Sequence, residues 1–378
     1  MSKKTKIIPI FVPHLGCPND CIFCNQKKIT NVSTSMTPEK AKDIIEEHLE
    51  TLDSNKYSIE ISFFGGTFTG IDKVDQKLLL RVALDYKESG RVEKIRLSTR
   101  PDRVDSSIID LLKAYKVDIV ELGVQSLDDE VLKASNRGHN ARDVIGAVER
   151  LKIAGFEVGI QIMPGLYKTN YLSDLKTLNQ VIDLSPDFVR LYPTLVIKGT
   201  RLKELYENDE YTPLSVEKAV EFCKIAYILF ESRDINIIRM GLQPTDGISW
   251  GNDVVAGPFH PAFRSLVLSS LYGDYIESVL DGNEYKNAEF NVPQSLISFV
   301  VGQNKSNVIR YKEYICGFMR FEPKRSNEDF IELVLEDMYG EVQRKILDLS
   351  KYCKKVAEKY RTLEGGVVEF KKIRTKRI

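Results

Sequence analysis

Nothing in this 378-residue chain approaches a membrane span: its longest apolar stretches, such as Ile7 to Pro13 and Val117 to Val124, fall far short of the ~20 residues a span needs. The basic start, Met1 to Lys6, is followed by too few apolar residues for a secretory signal and by no small-residue cleavage site. A cytoplasmic protein without a membrane partner is therefore expected. Net charge is missing too. Lys plus Arg number 54 and Asp plus Glu 54, so any basic face for nucleic acid has to be local. No sequence repeat and no low-complexity tract is visible, which excludes solenoids and propellers. No Ser/His/Asp triad or carboxylate dyad stands out, which points away from acid–base hydrolysis. Cysteine is scarce, at six residues, and three of these fall within eight positions, which is not how a disulfide framework is laid out. The scattered Cys223, Cys316 and Cys353 lie in apolar contexts and are expected as core thiols.

What is present is an ordinary globular composition, 43% hydrophobic and 29% charged, over a length that suits two or three domains. From Lys6 to about Met240, short β-branched runs alternate with amphipathic helical stretches, the signal of repeated βα units and a parallel sheet. Strands are expected at Ile7 to Val12, Ser58 to Phe64, Lys94 to Ser98, Ile119 to Val124, Val158 to Ile162 and Phe188 to Leu191, with a seventh at Asn236 to Arg239. The first helix has Thr37 as N-cap and Pro38 at its first position. Further helices fit Lys73 to Lys87, Ser106 to Tyr115, Ala141 to Ala154, Tyr171 to Leu184 and Ser215 to Ser232. Such units close, wholly or partly, into a barrel whose chemistry sits at the C-terminal strand ends. The expected fold is α/β: a partial (β/α)6 barrel over residues 1–244 with a smaller α+β accessory domain over 245–378, the boundary marked by a Gly- and Pro-rich stretch.

Directly after the first strand stands Cys17-x3-Cys21-x2-Cys24, three soft thiolate ligands on one loop, suited to zinc, Cu(I) or an iron–sulfur cluster with one corner open. A closed zinc site would need a fourth ligand, for which His14 is the local candidate, and a zinc-bound scaffold or RNA-binding protein remains the competing reading. This triplet, with the aromatic Phe23 before its last cysteine, resembles the signature of the radical S-adenosylmethionine (SAM) superfamily. Phe64-Gly65-Gly66-Thr67 at the second strand end resembles that family's glycine motif, with Thr67 where an acidic residue is often seen. The segments Ser98 to Asp102, Gly123 to Ser126, Asn136 to His139 (in a helical stretch), Gln161 to Leu166 and Leu191 to Thr200 complete a likeness over about Ile7 to Pro244. It is to the branch that includes the radical SAM subunit of the Elongator complex and oxygen-independent coproporphyrinogen dehydrogenase.

The resemblance implies a [4Fe–4S] cluster on Cys17, Cys21 and Cys24 whose fourth iron takes SAM. It further implies SAM contacts from Gly65, Gly66, Thr67, Ser98, Gln125, Arg137 and Gln161, with Arg137 suited to the SAM carboxylate. The chemistry implied is reductive cleavage of SAM to methionine and a 5′-deoxyadenosyl radical, driven by a reductant such as flavodoxin or ferredoxin. Tyr192, ending the sixth strand, is expected to line the substrate space, and His139 is expected to be an ordinary loop histidine.

In the C-terminal part, the expected order is strand (Ala288 to Val292), helix (Gln294 to Val301), Gly turn, helix (Asn307 to Tyr314), two strands (Gly317 to Glu322, Phe330 to Glu336) and a helix from Glu341 to Tyr360. This order resembles a KH-type RNA-binding module, with Gly302-Gln-Asn-Lys305 in place of its GXXG loop. The basic tail Lys371 to Arg377 adds charges suited to phosphate. RNA, and tRNA in particular, is therefore the expected substrate class, with a tetrapyrrole as the alternative. Acetyl transfer, which the Elongator subunit also performs, is not expected here.

Overall fold

The computed structural model describes residues 3–12, 17, 20–25, 36–244, 249–324 and 330–361. The chain divides into two compact units, Met1–Cys223 with Ile235–Val267, and Lys224–Asp234 with Leu268–Ile378. That division falls further along the chain than the composition change near Gly247.

The first unit is built on a seven-stranded sheet. Its strands are β1 (Lys4–Phe11), β2 (Tyr57–Phe64), β3 (Lys94–Thr99), β4 (Ile119–Gln125), β5 (Glu157–Ile162), β6 (Phe188–Leu191) and β8 (Asn236–Met240), hydrogen-bonded in that order and all parallel. The sheet ends at β1 and β8 without closing among the described residues, giving a partial barrel whose seventh strand, β8, is the one expected at Asn236 to Arg239. Helices α1 (Pro38–Thr51), α2 (Lys73–Glu88), α3 (Ser106–Ala114), α4 (Asp129–Ala134), α5 (Ala141–Ile153), α6 (Tyr171–Asp183), α7 (Arg201–Glu207) and α8 (Val216–Glu231, up to Cys223 within this unit) connect the strands. Their starts follow local chemistry. Thr37 accepts from the Lys40 N–H ahead of Pro38, and Asn140 and Asn170 each form a capping box.

One strand face carries the core: Ile8, Ile10, Ile59, Ile61, Ile95, Leu97, Val120, Leu122, Val158 and Ile160 are all buried. Because successive side chains alternate across a strand, the other face is set by the intervening residues. Those include the polar Glu60, Ser62, Arg96, Ser98, Glu121, Gln161 and Arg190 beside apolar residues such as Pro9, Phe64 and Phe188. Gly159 shares that face and lies so close to Phe188 that a Cβ would meet ring carbon Cε2 at 2.2 Å.

One expectation is corrected in this unit. Asn136 to His139 lie outside any helix, because α4 stops at Ala134 and Asn136 (φ 53) and Gly138 (φ 71) turn the chain in the left-handed region. The Arg137 N–H then bonds back to the Leu132 carbonyl at 3.0 Å, a helix-terminating turn that the apolar periodicity did not reveal. The small antiparallel pair β7 (Val196–Ile197) and β9 (Val254–Ala256) was also not foreseen, nor was α7.

The second unit holds a four-stranded sheet in the order β11 (Met319–Lys324), β10 (Tyr285–Pro293), β12 (Ile331–Asp337), β13 (Val342–Leu347). The β10–β11 pair is parallel and the others antiparallel. Helices α9 (Phe263–Leu280, from Leu268 on within this unit), α10 (Ile297–Val301), α11 (Ser306–Tyr311) and α12 (Leu349–Arg361) complete it. Its core gathers Ile276, Tyr285, Phe290, Tyr311, Leu333 and Leu335, with Phe290 stacked on Tyr311 and Phe321.

The helix expected from Glu341 is a strand and then a helix. Asp337 accepts from the N–H groups of Tyr339 and Glu341, Gly340 (φ 87) reverses the chain, and Val342–Leu347 pairs with β12 before α12 begins at Leu349. The order is thus strand, two helices, three strands and a helix, one strand more than the KH-like order expected. Cys316, expected in the core, is exposed, whereas Cys223 and Cys353 are buried; the backbone of Cys316 is tied to the Tyr285 carbonyl at the start of β10, which leaves its side chain outside the packed interior. At the turn before α11, a Cβ on Gly302 would lie 2.4 Å from Ser306 Oγ, and Asn304 and Lys305 both take left-handed conformations. The basic tail lies outside the described residues.

Candidate active site

The cysteine loop is held from both sides by backbone. Ile22 N–H donates to the Ser135 carbonyl beyond α4 (3.2 Å), and Leu202 N–H in α7 donates to the Ile22 carbonyl (2.7 Å). Asn136 reaches the Asp20 carbonyl at 2.9 Å, and Asn25 the Gly199 carbonyl at 3.3 Å. Between these ties Cys21, Ile22 and Phe23 are buried against Val131, Leu166, Val196 and Leu202. The two apolar side chains fix the loop, since burial of such groups stabilises by about 1.5–3 kcal/mol each. Asn136, in the unforeseen turn, therefore helps to place the cysteines.

Most residues expected at the site are brought together. Cys17 Sγ lies 3.2 Å from Thr67 Oγ1, and Thr67 is buried at the end of the turn that Gly65 (φ 97) and Gly66 make after β2. Arg137 donates from Nη1 to Cys21 Sγ at 3.2 Å and from Nη2 to the Gly123 carbonyl. A Cβ on Gly123 would sit 3.2 Å from Gln125 Nε2 and 3.4 Å from Arg137 Nη2, so the absent side chain is what lets these groups crowd the end of β4. Gln125 is buried with φ 71 at a bulge in the β4–β5 register, and Gln161 Nε2 donates to its Oε1 at 3.1 Å. Left-handed backbone at a non-glycine residue costs of order 1–3 kcal/mol and marks positions the surroundings dictate. Ser98 is half-buried on the same sheet face, two residues beyond Arg96. Tyr192, one residue past β6, is half-buried, and its oxygen accepts from Arg190 at 3.2 Å.

Behind these groups runs a buried ionic chain that sequence reasoning missed. Arg96 bridges Glu60 (2.6 Å) and Glu121 (2.7 Å), and Arg190 pairs with Glu121 through Nε (2.7 Å) and Nη2 (3.0 Å). Its signal was a charged residue in the middle of an apolar run: Ile59-Glu60-Ile61, Ile95-Arg96-Leu97, Val120-Glu121-Leu122 and Val189-Arg190-Leu191.

Two neighbouring groups have displaced titrations. His139 is buried, and that burial together with the cations Arg137 and Arg100 pushes its pKa down to about 3. It is neutral at physiological pH, its Nε2–H donating to the Val124 carbonyl at 3.2 Å. Asp174, in the first turn of α6, is pushed up to about 7 by burial, although it accepts from Gly165 N–H (2.8 Å) and Thr169 Oγ1 (2.8 Å). Gly165, at φ 80, also takes a hydrogen bond on its carbonyl from Tyr211 (2.6 Å), so both backbone polar groups of this residue are pinned.

Among the described residues no three His, Cys, Asp or Glu side chains converge on a site for a single metal ion. His14, the fourth ligand a zinc site would take, lies outside them. The donor set does fit an iron–sulfur cluster: three thiols on one anchored loop, one accepting an N–H from a guanidinium and one beside a hydroxyl. Such donors stabilise thiolate sulfur and tune a cluster's potential.

A parallel partial barrel with this loop at its C-terminal end defines a class, and sequence comparison bears it out. The radical SAM superfamily matches residues 11–180, and a radical SAM C-terminal domain matches residues 186–272. The chain belongs to the radical SAM superfamily, and it is an enzyme of that class whose cofactors are a [4Fe–4S] cluster and SAM. Among its relatives is a tRNA uridine(34) acetyltransferase of Methanocaldococcus infernus, 32% identical over 200 residues, which cover 48% of this chain and 38% of that protein. An uncharacterized protein of Methanocaldococcus jannaschii is 31% identical over 222 residues, covering 56% of this chain and 68% of the relative. Elongator complex protein 3 of Saccharomyces cerevisiae is 29% identical over 204 residues, 48% of this chain and 36% of that protein. The chain spans about two fifths of the length of the tRNA uridine(34) acetyltransferases it matches first. In fold it is similar to the solved structure of Methanocaldococcus infernus Elp3 with an N-terminal deletion, at a TM-score of 0.58 and 21% identity over 90% of this chain and 76% of that one. No helix among the described residues is long and apolar enough to cross a membrane.

Proposed function

We propose that this enzyme uses its cluster to cleave SAM and modifies RNA, with tRNA as the substrate class. The observation that carries the first part is the contact chain from Cys21 through Arg137 and Gly123 to Gln125 and Gln161, which joins the thiol loop to the polar face of the sheet. When bound, the cluster and SAM would supply reductive, one-electron chemistry at the SAM sulfonium. The chain's own residues hold and shield. Cys17, Cys21 and Cys24 would ligate iron, and Arg137, proposed as the partner of the SAM carboxylate, also donates to Cys21 Sγ. Gly65, Gly66, Thr67, Ser98, Gln125 and Gln161 offer backbone and side-chain polar groups to the amino acid and ribose parts of SAM. Ile22, Phe23 and Leu166 keep water from the loop.

The tRNA part draws on the names of the relatives and extends only over the matched stretch; acetyl transfer forms no part of it. A low-potential flavodoxin or ferredoxin in the cytoplasm is the proposed reductant. The accessory residues beyond 244, including the Gly302 turn, are proposed to meet the RNA. The test is anaerobic: reconstituted protein, dithionite and SAM, with and without bulk tRNA. Brown protein, 5′-deoxyadenosine formation stimulated by tRNA, and a nucleoside of altered mass in the digested tRNA are expected. Colourless, zinc-loaded protein overturns the reading entirely; cleavage that ignores tRNA and leaves its nucleosides unaltered overturns the tRNA assignment.

A further inference from the structure

The ionic chain on the inner sheet face raises a question of purpose. Glu60, Arg96, Glu121 and Arg190 are each 4–6% exposed, and their charges cancel. Stability is a poor reason for them, because the cost of desolvating buried ions offsets most of their attraction, and apolar residues of the same volume often serve as well. Geometry gives a better one. Glu121 fills both its oxygens, accepting from Arg96 Nη1 and from Arg190 Nε and Nη2. Arg190 is thereby fixed as a fork, with its guanidinium also over the Phe64 ring at 5.4 Å, and its Nη1 is directed to Tyr192 Oη at 3.2 Å.

That last bond decides what the phenol can do. A tyrosine hydroxyl has one proton to give and can also accept. Arginine can only donate, so Tyr192 must accept from Arg190, and its own proton has to point elsewhere. The side chain is half-buried at the C-terminal end of β6, the end of the sheet where the cysteine loop also lies, but the cysteine-contacting groups, Thr67 and Arg137, follow β2 and β4. We infer that Tyr192 is a hydrogen-bond donor to an acceptor atom, a carbonyl or ring nitrogen, of the substrate. Arg190 aims it, and Glu121 is a positioning residue that holds Arg190. This inference rests on the proposed radical SAM reading of the site but not on tRNA being the substrate.

The experiment compares strains of the source organism carrying the wild-type gene, Cys21→Ala, Tyr192→Phe, Glu121→Gln, and Tyr192→Phe with Glu121→Gln, by untargeted profiling of RNA nucleosides and small metabolites. Whatever product Cys21→Ala abolishes is the readout, so a non-RNA product would retire tRNA and leave the inference to be judged by Tyr192→Phe. Expected is a fall in that product of about tenfold with Tyr192→Phe, the loss of one productive hydrogen bond. The double variant should be no worse than Tyr192→Phe alone, since Glu121 acts through the phenol. Purified Tyr192→Phe should keep wild-type affinity for SAM in anaerobic equilibrium dialysis and stay folded, with a melting temperature lowered by no more than the loss of the Arg190 hydrogen bond entails. Wild-type product levels in Tyr192→Phe, weakened SAM affinity in that variant, or additive losses in the double variant would each overturn the inference. A Cys21→Ala strain indistinguishable from wild type would overturn it together with the radical SAM reading.

Discussion

Asp174 gives the most quantitative handle on this fold. Its carboxyl titrates at about 7 in the folded chain against an ordinary 3.8, because burial penalises the charged form more than the bonds from Gly165 and Thr169 favour it. The folded-state pKa is raised, so the stabilising contribution of the protonated form is complete below pH 3.8 and is lost as pH rises through about 7. About three pKa units at ~1.36 kcal/mol each make the full loss about 4 kcal/mol, of which about 2 kcal/mol falls between pH 5.5 and 7. Asp174→Asn removes the titration while keeping an acceptor for the Gly165 N–H. Urea unfolding of the two proteins, reduced and anaerobic, at pH 5.5 to 8.5 should find the variant gaining on wild type by about 2 kcal/mol across that range. A stability difference that does not change with pH refutes the reasoning. Because Leu166, next to the pinned Gly165, packs against Cys21 and Ile22, the loss should also loosen the cysteine loop. Limited proteolysis of the wild-type chain at pH 8 against pH 6 reads that directly.

Other outcomes follow from single contacts. Gly159→Ala places a Cβ at 2.2 Å from the Phe188 ring and should cost about 1–3 kcal/mol through forced repacking, seen as a lowered melting temperature; an unchanged midpoint would contradict the packing described. Arg137→Met removes the charge-assisted N–H from Cys21 Sγ, so the midpoint potential of the reconstituted cluster, followed by electron paramagnetic resonance, should move to more negative values. His139, held neutral by burial and two arginines, should show no change in its proton NMR shifts between pH 5 and pH 8. A His139 signal titrating near 6.5 would place it outside the interior.

Much of the barrel could be read in advance because a βα unit is specified locally. A β-branched run flanked by caps, such as Thr37-Pro38 ahead of the first helix, carries its own boundaries, and β6 falls on the residues expected of it, Phe188–Leu191. The three cysteines were legible for the same reason: their spacing sits within one loop. The β13 strand was not, because Val342–Leu347 has apolar residues that suit either period, and only pairing with β12 selects the extended form. Nor was the left-handed turn at Asn136, where the helix stops to bring Arg137 onto Cys21.

The amino-acid order alone determined the parallel α/β architecture, the thiol loop and the family, all of which depend on neighbours within a few residues or on one strand and its helix. Tertiary structure decided which polar residues meet. Glu60, Arg96, Glu121 and Arg190 stand far apart in the chain, and each by itself reads as a flaw in an apolar strand. Only the pairing of their strands into one sheet brings opposite charges within hydrogen-bonding distance and leaves Arg190 bonded to Tyr192.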